Sequence, residues 1–218
     1  MSSAKIKNLF SQLMRNPYFW ALILGIVSLH LVREFSYMRR SAPPPLVMVG
    51  PWSLTNQRNE SFGTKELKGK VVIASFFFTR CPTICPKLMQ DMIEVQKRFE
   101  KLKTKVHFMS ISVDPEHDTP LVLTDYIQKK QFKDNHWTFL TGSHAEIYHV
   151  VVEQMKLHMG DLEAVKKQDS REVLYSVSHV AEFALFDQNG DLRAKFPTDP
   201  TSLAALERAA KFIVEKGP

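Results

Sequence analysis

Two cysteines are all that this chain of 218 residues contains. So few thiols exclude a disulfide-rich scaffold, in which bridges replace a hydrophobic core. Internal repeats are missing, as is low-complexity sequence outside one short proline tract. The body of the chain also lacks excess charge. Residues 1–40 carry six Lys or Arg and one acid, Glu34, whereas the remaining 178 residues carry 23 basic and 22 acidic groups. The net charge of +6 therefore belongs mostly to the N-terminal segment, and a phosphate-binding face for nucleic acid is not expected. What is present, 44% apolar and 24% charged residues, is enough for one medium domain with a proper core.

The N-terminal segment reads "NPYFWALILGIVSLHLVREF". From Tyr18 to Val32 only Ser28 and His30 interrupt its apolar or small residues. Lys5, Lys7 and Arg15 precede it with no acid among them. This pattern fits a positive region followed by an apolar one, and no clean small-residue cleavage site follows. The expectation is an uncleaved signal-anchor: residues 1–16 cytoplasmic, 17–35 a transmembrane helix, and 36–50 a linker stiffened by Pro43–Pro45. Residues 51–218 then form the exported body. The short leader favours a bacterial inner membrane, with the body in the periplasm, over a mitochondrial one.

Within the body, "PWSLTNQRNESFG" predicts a short hairpin. "VVIASFFFT" (Val71–Thr79) is a continuous β-branched and aromatic run, which predicts a central strand covered on both faces. From Pro82 the apolar residues Ile84, Leu88, Met89, Met92, Val95, Phe99 and Leu102 recur at helical spacing. "KVHFMSISV" predicts a strand. "TPLVLTDYIQKKQF" predicts a helix with Thr119 as N-cap and Pro120 in the first position. "WTFLTG" predicts a short strand, and "SHAEIYHVVVEQM" a helix whose Ser143 and Glu146 form a capping box. "GDLEAVKKQDSREVLYS" is polar and irregular. "HVAEFALFDQNGDLRAKF" predicts two strands around the turn "QNGD", and a last helix closes the chain. Strands alternating with helices predict parallel pairing, with the late hairpin adding an antiparallel edge.

Both cysteines fall in "TRCPTICPKL", directly after the predicted central strand. Cys81 and Cys85 at the start of a helix would stack one turn apart, and the helix N-terminus would lower the thiol pKa of Cys81. Pro82 suits a first turn, whereas Pro86 in a second turn would limit backbone bonding. Three roles compete: a structural disulfide, a redox-active dithiol, and half of a metal site. A bridge across so short a loop would constrain almost nothing, which favours a functional pair. A metal site needs a further ligand, and soft thiolates with an added imidazole suit copper. Zinc in a structural site would want a fourth protein ligand, for which no partner is paired. Among the eight histidines, His179 stands apart because it immediately precedes a strand. His30 lies in the apolar segment, His107 in a strand, and His144, His149 and His158 in or after a helix. His117 and His136 lie in loops.

"FFFTRCPTICPKLMQDM", "ISVDPEHDTP", "WTFLTG" and "YSVSHVAEFALFDQNG", in this order and spacing, resemble the SCO/SenC copper proteins. The resemblance covers about Leu54 to Val214 and also the N-terminal anchor. It implies an α/β, thioredoxin-like fold, with a mixed central sheet flanked by helices and one transmembrane helix ahead of it. It implies one copper ion, Cu(I) or Cu(II), held by Cys81, Cys85 and His179, and a redox-active pair that can close as a Cys81–Cys85 disulfide. The implied role is delivery of copper to the CuA site of cytochrome c oxidase subunit II during assembly, with another periplasmic copper chaperone as a possible donor. The alternatives are a thiol-disulfide oxidoreductase acting on client cysteines and a peroxidase-like thiol protein, for which Thr79 and Arg80 would serve. Thr83, Ser178 and His117 depart from the family pattern, which commonly has Asp, Asp and Arg there. The two lost carboxylates reduce charge around the metal.

Overall fold

The computed structural model describes residues 14–38, 44–132, 136–157, 162–166, 173–177 and 182–218. The chain divides into two compact units, Met1–Ser41 and Ala42–Pro218. The first contains helix α1 (Pro17–Met38). Its side chains Leu22, Leu24, Ile26 and Leu29 are exposed. The helix falls where a membrane span was expected. Among the described residues, however, no helix is long and apolar enough to cross a membrane. Ser28, His30, Arg33 and Glu34 dilute the apolar character of its second half.

The second unit is built on a seven-stranded mixed sheet of order β2-β1-β5-β4-β3-β8-β9. The first hairpin is β1 (Ser53–Asn56) with β2 (Ser61–Gly63), and the short helix α2 (Thr64–Leu67) follows. Strand β3 (Val71–Phe77) lies inside the sheet, parallel to the middle strand β4 (Val106–Ser112), which is parallel to β5 (Trp137–Thr141). Strand β8 (Glu182–Phe186) pairs antiparallel with the other side of β3, and β9 (Leu192–Pro197) forms the edge. The crossover helices are α3 (Ile84–Arg98) and α4 (Pro120–Lys130). Helix α5 (His144–Tyr148) continues as a wider turn over His149–Gln154, and α6 (Pro200–Lys216) ends the chain. A parallel β-α-β core with a terminal antiparallel hairpin is the thioredoxin-like arrangement expected from the sequence.

Side-chain alternation along β3 builds two cores. Val71, Ile73 and Phe77 face a cluster with Leu88, Met89, Met92 and Val95 of α3 and Leu206 and Ala210 of α6. Val72 and Ala74 face the other cluster, with Trp52, Ile147, Val151 and Phe186. Met89 and Met92 are thus core side chains, as their spacing predicts. The expected caps form: the Thr119 side chain accepts from Val122 N–H, and Ser143 and Glu146 make a reciprocal capping box. The "QNGD" turn places Gly190 at φ 91°, a left-handed conformation that a Cβ disfavours.

Two expectations change. The polar stretch, irregular by its sequence, contains an antiparallel pair, β6 (Leu162–Lys166) with β7 (Val173–Val177), in a sheet of its own. Its many charges mask the alternation that marks a strand. Helix α3 begins at Ile84, two residues after the expected Pro82, with Thr83 in the N-cap position. Pro86 is therefore the third helical residue rather than a second-turn one. Its missing N–H is one that a helix start leaves unpaired in any case, so it does not distort the helix.

Candidate functional site

The cysteines sit where β3 ends and α3 begins. Both are buried, at the edge of the core cluster that α3 shares with the sheet. Cys81 precedes the helix and does the work of a cap. The Thr83 side chain makes no capping hydrogen bond, whereas the backbone N–H of Cys85 donates to Cys81 Sγ at 3.5 Å. The Thr83 hydroxyl lies 3.9 Å from the same sulfur. The Cys85 thiol also donates to Cys81, and this, with the N–H groups of Cys85, Thr83 and Ile84, brings the Cys81 thiol down to about 5 against the opposing effect of burial. Cys85 is pushed strongly upward, first because its thiol is engaged with Cys81 and next by burial, with Asp118 adding to the effect. The two stand as free thiols.

A polar network braces this corner from the loop between β4 and α4. Asp118 is fully buried. Its carboxylate accepts from Thr79 N–H at 2.9 Å, from the Thr79 hydroxyl, and from the Ser112 hydroxyl at 2.6 Å. His117 Nδ1 lies 2.9 Å from the same carboxylate. Arg80 reaches Asp114 with two nitrogens, at 2.7 and 3.3 Å. Thr79 and Arg80, the residues a peroxidase-like site would need, are thus both engaged with aspartates. Tyr126 of α4 completes the surroundings. Its hydroxyl pKa is raised to about 12 by burial, with Cys85, Asp118 and Cys81 contributing. Neither Asp118 nor Tyr126 is singled out by sequence reasoning. The "DPEHDTP" motif marks the loop, but its contact with Thr79 spans 39 positions. Tyr126 reads only as one more apolar-face position of a helix.

The expected ligand set is only partly within view. Cys81 and Cys85 come together. His179 lies outside the described residues, between the end of β7 at Val177 and the start of β8 at Glu182. His158 lies outside them too. His107 is buried and satisfied, its Nε2 2.9 Å from Thr138 Oγ1 and its ring stacked on Phe62. Burial brings its pKa down to about 3. His149 pairs with Glu153 on the surface. Among the described residues, Asp114, His117 and Asp118 bring three metal-capable side chains within 4.8 Å. Their carboxylates already serve Arg80, Thr79 and Ser112. A cavity of about 310 Å³ lies between Trp52, Leu67, Met109 and Met155, but no thiol, imidazole or carboxylate lines it. The chemistry belongs to the cysteines.

Two soft sulfurs beside one another, one of them poised to lose its proton at neutral pH, form a donor set suited to a soft cation such as copper. The same pair suits reversible disulfide chemistry. Fold and site together define a thioredoxin-like domain with an extended C-x-x-x-C motif. The SCO1/SenC family model matches residues 40–213, so the chain belongs to the SCO1/SenC family. It is 31% identical to an SCO2-like protein of Rickettsia felis over 198 residues, covering 86% of this chain and 91% of that one. Among solved structures it is similar to Bradyrhizobium japonicum ScoI with copper bound, with TM-score 0.60, 31% identity and coverage of 75% of this chain and 99% of that one. It is also similar to BsSco, a member of the Sco family of cytochrome c oxidase assembly proteins for which a disulfide switch has been identified. That match has TM-score 0.61 and 29% identity, and covers 78% of this chain and 98% of that one.

Proposed function

We propose that this protein binds one copper ion through Cys81, Cys85 and His179 and delivers it to the CuA site of cytochrome c oxidase subunit II during assembly. The observation that carries this reading is the adjacent cysteine pair at the start of α3, with the Cys81 sulfur accepting from the Cys85 backbone N–H at 3.5 Å. Copper bound in a similar structure supports the choice of metal. Strand β8 supports the choice of third ligand. It pairs antiparallel with β3, Ala74 opposite Ala184, so its first residue, Glu182, lies toward the end of β3 from which the cysteines follow. His179 stands three positions upstream of Glu182 in the sequence. Copper is the cargo here. This chain's residues hold it, exclude water around the sulfurs and keep Cys81 ionised for capture.

The body works at a membrane, and the apolar helix α1 is its tether, with the body on the periplasmic side. Removing residues 1–40 releases it to the soluble fraction. A second reading, reduction of a client's cysteines, draws on the same low Cys81 pKa and on the disulfide switch of BsSco. A dithiol reductase has no need of an imidazole. His179→Ala therefore separates the two. The copper reading expects Cu(II) binding to weaken at least tenfold while the reaction of the thiols with a disulfide probe changes little. Unchanged Cu(II) affinity in this variant leaves the reductase.

A further inference from the structure

His117 is half exposed, at 42% of its side-chain area, yet its ring is not free to turn. An ionised carboxylate only accepts hydrogen bonds, so Nδ1 carries the proton and donates to Asp118 at 2.9 Å. The Thr79 hydroxyl lies 3.4 Å from the same nitrogen. Asp118 is itself fixed, because it is fully buried and accepts from Thr79 and Ser112 as well. In the neutral ring this tautomer leaves a lone pair on Nε2. Among the described residues, Nε2 has no hydrogen-bond partner. A carboxylate behind one ring nitrogen and a bare lone pair on the other is the arrangement that orients a metal-binding imidazole. The ring also stands at the cysteine corner. It reaches Thr79, and two residues of chain, at most about 7 Å, separate Thr79 from Cys81. The carboxylate holding His117 acts electrostatically on Cys85.

We infer that His117 is an accessory copper ligand, a transfer ligand that takes the ion from the cysteine sulfurs through Nε2 as it leaves for an acceptor. This rests on the copper-binding reading above. The step is a ligand exchange without redox. A copper–sulfur bond breaks and a copper–nitrogen bond forms, copper keeps its oxidation state, and the Nδ1 proton stays on its nitrogen, donated to Asp118. A released sulfur keeps its electron pair.

The test uses the full chain loaded with Cu(I), and follows copper transfer to a chromogenic Cu(I) chelator by stopped flow. His117→Gln is expected to slow transfer about tenfold while the bound copper per chain stays the same. His117→Gly is expected to be equally slow and to recover most of the rate with added imidazole, which has little effect on the unaltered chain. Equal rates in the unaltered chain and both variants, with copper bound as before, overturn the inference and leave the copper reading standing. A slow His117→Gly that imidazole does not rescue also overturns it, because the loss is then one of loop packing. An unaltered chain that takes up no copper overturns both.

Discussion

Strand β4 has a histidine near each end, and the two are used in opposite ways. Near its start His107 is buried, with its proton-accepting ability suppressed, bonded to Thr138 and stacked on Phe62. Beyond its end His117 is half exposed and held by a buried carboxylate, with one nitrogen left over. The first end closes on itself through a neutral pair. The second is built of ionic and charge-assisted bonds, Arg80 to Asp114 and Thr79, Ser112 and His117 to Asp118. Charge-assisted bonds are shorter and stronger than neutral ones. They fix the turn that carries Cys81 without filling it with apolar side chains. The difference shows how one strand contributes packing at one end and a poised polar corner at the other.

The sharpest way to test that contrast is to alter one cysteine at the far end and His107 at the near end. Cys85→Ser is expected to weaken copper binding by at least a hundredfold, whereas His107→Gln leaves it unchanged, as measured by competition with a chelator. Comparable losses in both variants would remove the distinction. Next in size is the brace. Asp118→Ala strands the Thr79 N–H and the Ser112 hydroxyl, and is expected to cost about 3 kcal/mol in chemical denaturation of the copper-free chain. A loss below about 1 kcal/mol would mean that the loop does not hold the cysteine turn.

The near end is probed by pH. The His107 pKa is about 3 in the fold against its ordinary value of 6.5. Above pH 6.5 the ring is neutral in both states, and its contribution to stability is fully present. As pH falls from there towards 3 the unfolded chain binds the proton first, so stability is lost over that window. Between pH 7 and pH 4 the unaltered chain is expected to lose about 3 kcal/mol more than His107→Gln. Parallel stability curves would show that His107 titrates normally. The smallest effect is expected at mid-strand. Ser110 accepts from Trp137 Nε1 at 2.9 Å and meets Ser75 at 2.8 Å, all three buried. Ser110→Ala is expected to cost about 1 kcal/mol by thermal unfolding, with no change in copper binding.

Most of the framework is legible along the chain because its signals are local. The unbroken apolar run of β3, the Thr119 and Ser143 caps and the "QNGD" turn each occupy a few adjacent residues. The start of α3 was misread because Pro82 suits a first helical turn as well as the bend before one. What decides the matter is the Cys81 sulfur accepting from Cys85 N–H, a side-chain contact that spacing does not show. The β6–β7 pair is hidden by the charged sequence between its strands. In the site, the cysteines announce themselves through their scarcity and their place after β3. The role of Asp118 is invisible in one dimension, since it depends on β3 and β4 lying side by side so that Thr79 and Asp118 meet. His117 reads as a solvated loop histidine until that contact is seen.

Copper titration of the full-length reduced protein, with absorption recorded throughout, tests the central claim most directly. The account predicts an endpoint of one copper per chain and, with Cu(II), a thiolate-to-metal charge-transfer band that grows to the same endpoint. Uptake that leaves the band absent, or that persists unchanged when both Cys81 and Cys85 are replaced by serine, would contradict it.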